Sequence, residues 1–216
     1  MKSETMLLKD KSTLRYSVYL PKGFEAGKSY PLVFALHFGG PVPVKPFYGG
    51  SMIEILVAPG LKDLNAIIVA PDSIDGNWGS DKNKGAIEEL LDRIHEDFTI
   101  DDSKTLLTGF SMGGHGTWAI AAAYPERFRA AIPIAGRGLA DEVVKDINWE
   151  IPFYVIHSNA DTVVPIEPTR KFVEQVQASG ADVTFVEVDG LPHFETYRFA
   201  KPLADAIPWL EKVWGE

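Results

Sequence analysis

The feature that most limits how this chain can fold is Gly109-Phe110-Ser111-Met112-Gly113, with Gly114 directly behind it. The run before it, Thr105 to Thr108, reads as a strand. The run after it, Met112 to Tyr124, is rich in alanine and reads as a helix. A strand that gives way to a helix across one serine needs a very sharp turn. Side chains at the flanking positions would collide with the neighbouring elements, and glycine removes that collision. The turn holds the serine backbone in a strained conformation and lifts its hydroxyl to the end of the sheet, beside the positive end of a helix.

The rest of the chain fits around that turn. Short apolar runs recur at Leu14 to Leu20, Leu32 to Leu36, Ala66 to Ala70, Ala130 to Ala135, Phe153 to His157 and Val183 to Val188. Pro133 is an awkward residue for a central strand. Segments with helical spacing lie between the runs: Ala86 to Phe98, Glu167 to Ser179 and Phe199 to Trp214. Pro208 either kinks the last of these or opens a second short helix. The alternation predicts an α/β fold, a mostly parallel twisted sheet of about seven to eight strands with helices on both faces. No repeat or flexible linker interrupts it, so residues 1–216 are expected to form one catalytic domain. The short stretch between Ala135 and Phe153 leaves no room for a large lid.

Composition narrows the function classes. The net charge of −9 argues against a nucleic-acid partner. The absence of cysteine removes disulfides, thiolate metal sites and a thiol nucleophile. Met1 to Lys11 is polar, and no run is long enough to span a bilayer. A soluble protein without a membrane partner is expected, cytoplasmic or secreted after loss of a signal peptide.

A serine hydroxyl needs a base, and the base needs an orienting acid. In folds with this turn the order along the chain is serine, acid, histidine. His193, in the loop Gly190-Leu191-Pro192-His193-Phe194, is the expected base, and Asp161, in the loop after Phe153 to His157, is the expected acid. Asp189 is the rival acid, and Glu195 a weaker one. His157 also follows the serine but ends a strand. An imidazole base implies that activity falls at acid pH. The oxyanion formed during acyl transfer needs donors. The backbone N–H of Met112 is one. The other lies in His37-Phe38-Gly39-Gly40, with Gly39 first and Phe38 or Gly40 as alternatives.

Several residues carry two readings each. Trp78 is a substrate-stacking ring or a structural loop tryptophan. Phe47 and Tyr48 carry the same ambiguity. His115 is expected to pack on its helix, the residues PVPVKP to stiffen a loop, and His95 to sit on a solvated charged face and not in a metal site.

These segments resemble the α/β-hydrolase superfamily. The likeness lies in YSVYLPKGFEAGKSYPLVFALHFGG, GFSMGGHGTWAIAAAYPERF, IPFYVIHSNADTVVP and GLPHF, from about Tyr16 to Phe194. It points to the compact esterases that include feruloyl-esterase-like and polyhydroxybutyrate-depolymerase-like enzymes, and to the catalytic domains of prolyl-oligopeptidase-like peptidases. The resemblance implies a triad of Ser111, Asp161 and His193, an oxyanion hole of Gly39 and Met112, a small-molecule ester substrate and no cofactor or metal. The family usually has His-Gly where this chain has His37-Phe38, and tends to have tryptophan near Phe194, so Phe38 and Phe194 are expected in the substrate pocket. A peptidase, or a silent binding module on the same fold, are the rival functions.

Overall fold

A computed structural model of the chain describes residues 1–40, 47–140, 144 and 147–215. Eight strands form one open sheet: β1 (Lys2–Leu7), β2 (Thr13–Tyr19), β3 (Tyr30–Leu36), β4 (Ile67–Pro71), β5 (Ile100–Phe110), β6 (Ala130–Ile134), β7 (Phe153–Ser158) and β8 (Val183–Val188). Their spatial order is β1-β2-β4-β3-β5-β6-β7-β8. β1 and β2 run antiparallel at one edge, and β3 through β8 run parallel. This is the α/β architecture expected from the sequence.

Strand periodicity divides the interior into two cores. In β3, Leu32, Phe34 and Leu36 pack on one face, while Val33 and Ala35 pack on the other. β4 repeats the pattern, with Ile67 and Val69 opposite Ile68 and Ala70. The first face is covered by α3 (Asp81–Asp97), α4 (Met112–Ala123) and α5 (Ile166–Ala178), through Leu90, Leu91, Trp118, Phe172 and Val176 among others. The second is covered by α1 (Tyr48–Met52), which continues through a π-helical turn (Ile53–Val57) into α2 (Ala58–Leu61), and by α6 (Ala200–Ala204) and α7 (Ile207–Trp214). Each fully buried Leu, Ile or Phe side chain contributes about 1.5–3 kcal/mol. Pro208 opens α7 and does not kink a longer helix.

Pro133 stands in a central strand at a visible cost to the ladder. Ala131 donates to Pro152 O, just ahead of β7, and Ala135 to Ile156 O within it. In a parallel strand residue 133 would donate between them, and proline has no N–H to give. The β6–β7 register accordingly passes from Ala131↔Phe153 to Ile134↔Ile156 with no pair at Pro133.

Two elements are absent from the sequence reading. β1 is one, because an edge strand half open to water carries no apolar run; its exposure alternates along KSETML. The helical segment 48–61 is the other. Gly49, Gly50, Pro59 and Gly60 break its apparent periodicity, yet a Cβ on Gly49 would lie 2.1 Å from Ala70 O, so glycine permits that helix to approach β4. The prolines of PVPVKP, residues 41–46, lie outside the described residues. No described helix is long and apolar enough to cross a membrane.

Candidate active site

Parallel strands end on one edge of the sheet, and the candidate residues sit just past those ends. Gly39 follows β3, Ser111 follows β5, Asp161 follows β7 and His193 follows β8. Strand order reverses between β4-β3 and β5, the place where open α/β sheets form crevices.

Ser111 caps α4 with φ 58° and ψ −113°, the strained backbone expected for this turn. Its flanking glycines are sterically required. A Cβ on Gly113 would lie 2.0 Å from Leu36 O, and one on Gly109 would lie 2.3 Å from Gly113 O. Three side chains then meet. His193 Nε2 lies 2.8 Å from Ser111 Oγ, and His193 Nδ1 lies 2.6 Å from Asp161 Oδ2. An ionised carboxylate only accepts, so Nδ1 carries the proton and Nε2 is left to accept from the serine hydroxyl. Asp161 Oδ1 accepts from the N–H groups of Val163 (2.9 Å) and Val164 (2.8 Å). Asp161 and His193 are both buried.

The rival acid is placed elsewhere. Asp189 Oδ1 accepts from Asn159 Nδ2 at 2.6 Å, Gly190 N–H donates to Asn159 Oδ1, and Leu191 N–H donates to Ser158 Oγ at 3.0 Å. Ser158 and Asn159 therefore clamp the loop that carries His193 to the loop that carries Asp161. Glu195 pairs with Arg198.

The loop after β3 is held by a histidine of defined tautomer. Ser73 N–H donates to His37 Nε2 at 2.9 Å, so Nδ1 bears the proton and donates to Phe38 O at 2.6 Å. In a trans peptide the carbonyl and the next N–H point opposite ways, so fixing Phe38 O also fixes the direction of Gly39 N–H. A Cβ on Gly39 would lie 3.8 Å from Met112 Cβ, which puts the two expected donor segments side by side. Tyr48 stacks on the His37 ring (5.4 Å) and meets Phe38 edge-on (5.9 Å), so it supports the loop from beneath. Asp72 is buried and accepts from Phe47 N–H (2.7 Å), Gly49 N–H (3.0 Å) and Arg15 Nε (3.0 Å), which anchors Tyr48 in turn.

A cavity of about 540 Å³ opens over Ser111 and His193. Phe38 and Phe194 line it. Ile55, Phe110, Val163, Thr196 and Tyr197 line it too and were not anticipated. Phe110 and Val163 were within reach of the sequence, one residue before the serine and two after the acid. Phe194 is 84% exposed and meets the His193 ring edge-on at 5.7 Å.

Trp78 corrects one expectation. It is 1% exposed, its Nε1 donates to His37 O at 3.0 Å, and its Cβ sits where a Cβ on Gly116 would come within 2.4 Å. The loop that carries it wraps Asn83, whose Nδ2 donates to Ser73 Oγ, Asp75 Oδ1 and Asn77 O, and this turns the indole inward. Trp78 is a strut behind His37 and not a substrate contact. His115 is half-buried, with Nδ1 donating to Gly138 O at 3.1 Å. It borders a larger cavity, about 800 Å³, on which Ser111 does not lie. His95 bonds Leu91 O and Asp102 on the surface. Among the described residues no group of three or more His, Asp or Glu could hold a metal ion.

His37, His115 and His157 share a property: burial lowers the basicity of each ring. The native state therefore holds fewer protons than the unfolded chain once pH drops below the ordinary imidazole value of about 6.5. Stability is fully present above that value and is lost as pH falls through the window down to the lowered native values. The melting temperature should hold between pH 7.5 and about 6.5 and then fall towards pH 5, a range above that in which exposed carboxylates titrate. A melting temperature unchanged over that span would contradict neutral buried imidazoles.

The fold and this serine–histidine–carboxylate contact define an α/β-hydrolase. Residues 69–210 match the phospholipase/carboxylesterase family of that fold, and the chain belongs to it. Feruloyl esterase C of Emericella nidulans is 27% identical over 154 residues, covering 70% of this chain and 56% of that protein. A crystal structure of a thermostable esterase superposes with a TM-score of 0.78 at 25% identity, covering 98% of this chain and 62% of that one. A ferulic acid esterase structure gives 0.76 at 18%, covering 98% and 97%, and shares the fold. The chain thus spans less than two thirds of the length of the first two.

Proposed function

We propose that the chain is a serine carboxylesterase that cleaves short-chain or aryl esters through an acyl-enzyme. The observation that carries this reading is the unbroken run of contacts from Ser111 Oγ through His193 to Asp161. His193 Nε2 takes the hydroxyl proton as Oγ attacks the ester carbonyl. The N–H groups of Met112 and Gly39 hold the oxyanion; the first lies at the positive end of α4. The alcohol leaves with the proton from His193, and water, activated by the same imidazole, releases the acid.

The cavity supports the substrate class. Among the described residues seven large hydrophobic side chains are exposed, and four of them, Ile55, Val163, Phe194 and Tyr197, border this one opening. With Phe38 and Phe110 they form a wall that suits an apolar or aromatic group, and no charged side chain joins it among the described residues. Feruloyl esterase C and the thermostable esterase are named for ester cleavage, which agrees.

A panel of aryl and alkyl esters, lactones, thioesters and peptides, compared by kcat/KM, tests the reading. Aryl and short-chain esters should exceed peptides by at least about tenfold, the scale of a few favourable pocket contacts. Preference for peptides, or only for long acyl chains, would overturn it. Failure of a fluorophosphonate to label Ser111 in folded protein would point to a silent module.

A further inference from the structure

His157 is the penultimate residue of β7, four residues before Asp161; it has no exposed surface and takes no part in the steps above. Its Nε2 lies 2.8 Å from Val164 O. A carbonyl only accepts, so Nε2 carries the proton. Nδ1 is buried with no hydrogen-bond partner, as a bare lone pair. The same Nε2 lies 3.6 Å from Asp161 Oδ2, the oxygen that accepts from His193. That separation is too long for a hydrogen bond, and the N–H is directed at Val164 instead.

We propose that His157 is a positioning residue for Asp161, closing the turn of residues 161–165 so that Oδ2 serves His193 alone. The inference rests on Asp161 being the orienting acid. The turn is fastened twice. Val163 and Val164 donate to Asp161 Oδ1, which sets the rotation of the carboxylate. His157 then holds the carbonyl on the far side of Val164, so both peptides that flank that residue are fixed. Without the second fastening the two N–H donors can swing, and the carboxylate swings with them.

The role requires a neutral ring. Burial opposes its protonation, and a proton on Nδ1 would find no acceptor. The charged and titratable groups around it are Asp161 on its own loop, His193 from the loop after β8, Arg170 from α5 and Glu187 from β8. Arg170 is already paired with Glu187 and Glu167. A cationic His157 would draw on Oδ2 and repel the imidazolium that forms on His193.

Two neutral amides separate this role from mere packing. Gln places its N–H near the position of the histidine Nε2 and can reach Val164 O; Asn is too short. His157→Gln should keep kcat within about threefold and preserve the low-field proton resonance of the His193–Asp161 hydrogen bond. His157→Asn should lose about 10²-fold in kcat at nearly unchanged KM, the penalty of a misplaced catalytic group, and should lose that resonance. If both variants fold and match each other in kcat and in the resonance, the inference is wrong. If His157→Asn does not fold, a His157→Gln enzyme that folds but loses 10²-fold or more also overturns it. An Asp161→Asn variant with full activity would remove the underlying triad reading; its loss beside two unaffected His157 variants would remove only this inference.

Discussion

Replacing Ser111 with alanine is expected to lower kcat by about 10⁵- to 10⁶-fold while leaving the fold in place. The Oγ atom is the group that would bond to the acyl carbon, and no other hydroxyl is hydrogen-bonded to His193 among the described residues. The structural cost is small because the side chain makes that one hydrogen bond. Alanine keeps the Cβ, so the positive φ of the turn is as strained in the variant as in the parent. Loss of the polar contact inside a half-buried site should move the stability by no more than about 1 kcal/mol, in either direction. Steady-state hydrolysis of an aryl ester, a thermal melt, and mass analysis after fluorophosphonate treatment measure the three quantities. An alanine variant that keeps a tenth or more of the parent rate would mean that Ser111 is not the nucleophile.

What could be read from the sequence follows from where the physics is local. Gly109 must be glycine because Gly113 O crowds it, and Gly113 because Leu36 O of the neighbouring strand does; both requirements fall on one five-residue turn, so they survive in the letters. The central parallel strands β3, β4, β6 and β7 were legible because both their faces are buried and they become continuous apolar runs. The order serine, acid, histidine then selected Asp161 and His193 through topology alone. The misses share the opposite property. β1 is paired on one side only and half exposed, so its letters resemble a polar tail. The helical segment after Phe47 is stabilised by packing on β4, α6 and α7, and its glycines and prolines conceal it. Trp78 turns inward because Asn83 gathers its loop and His37 O accepts its indole N–H, and His37 takes its tautomer from Ser73 N–H; the two bonds to His37 join residues far apart in the chain. His157 looked like a spare base, and its buried setting appears only when the turn 161–165 is folded against it.

Asp161→Asn should cost about 10⁴-fold in kcat/KM, although the two side chains have the same shape. The N–H groups of Val163 and Val164 both aim at the Oδ1 position, and two donors require an acceptor there. The asparagine must therefore put its carbonyl oxygen on Val163 and Val164 and its NH₂ towards His193. That NH₂ can only donate, so His193 Nδ1 has to give up its proton, and the proton moves to Nε2. The imidazole then presents an N–H to Ser111 Oγ where it formerly presented a lone pair, and it can no longer accept the hydroxyl proton. Asp189→Asn is the matched control. Asp189 is exposed and accepts from Asn159, on the clamp between the two loops and away from the imidazole. That substitution should cost no more than a few-fold, by loosening the clamp. Both variants are compared with the parent on one aryl ester at pH 8, with melting curves to confirm folding. Should Asp189→Asn suffer the large loss and Asp161→Asn the small one, the acid has been assigned to the wrong loop, and the route from Ser111 through His193 must end elsewhere.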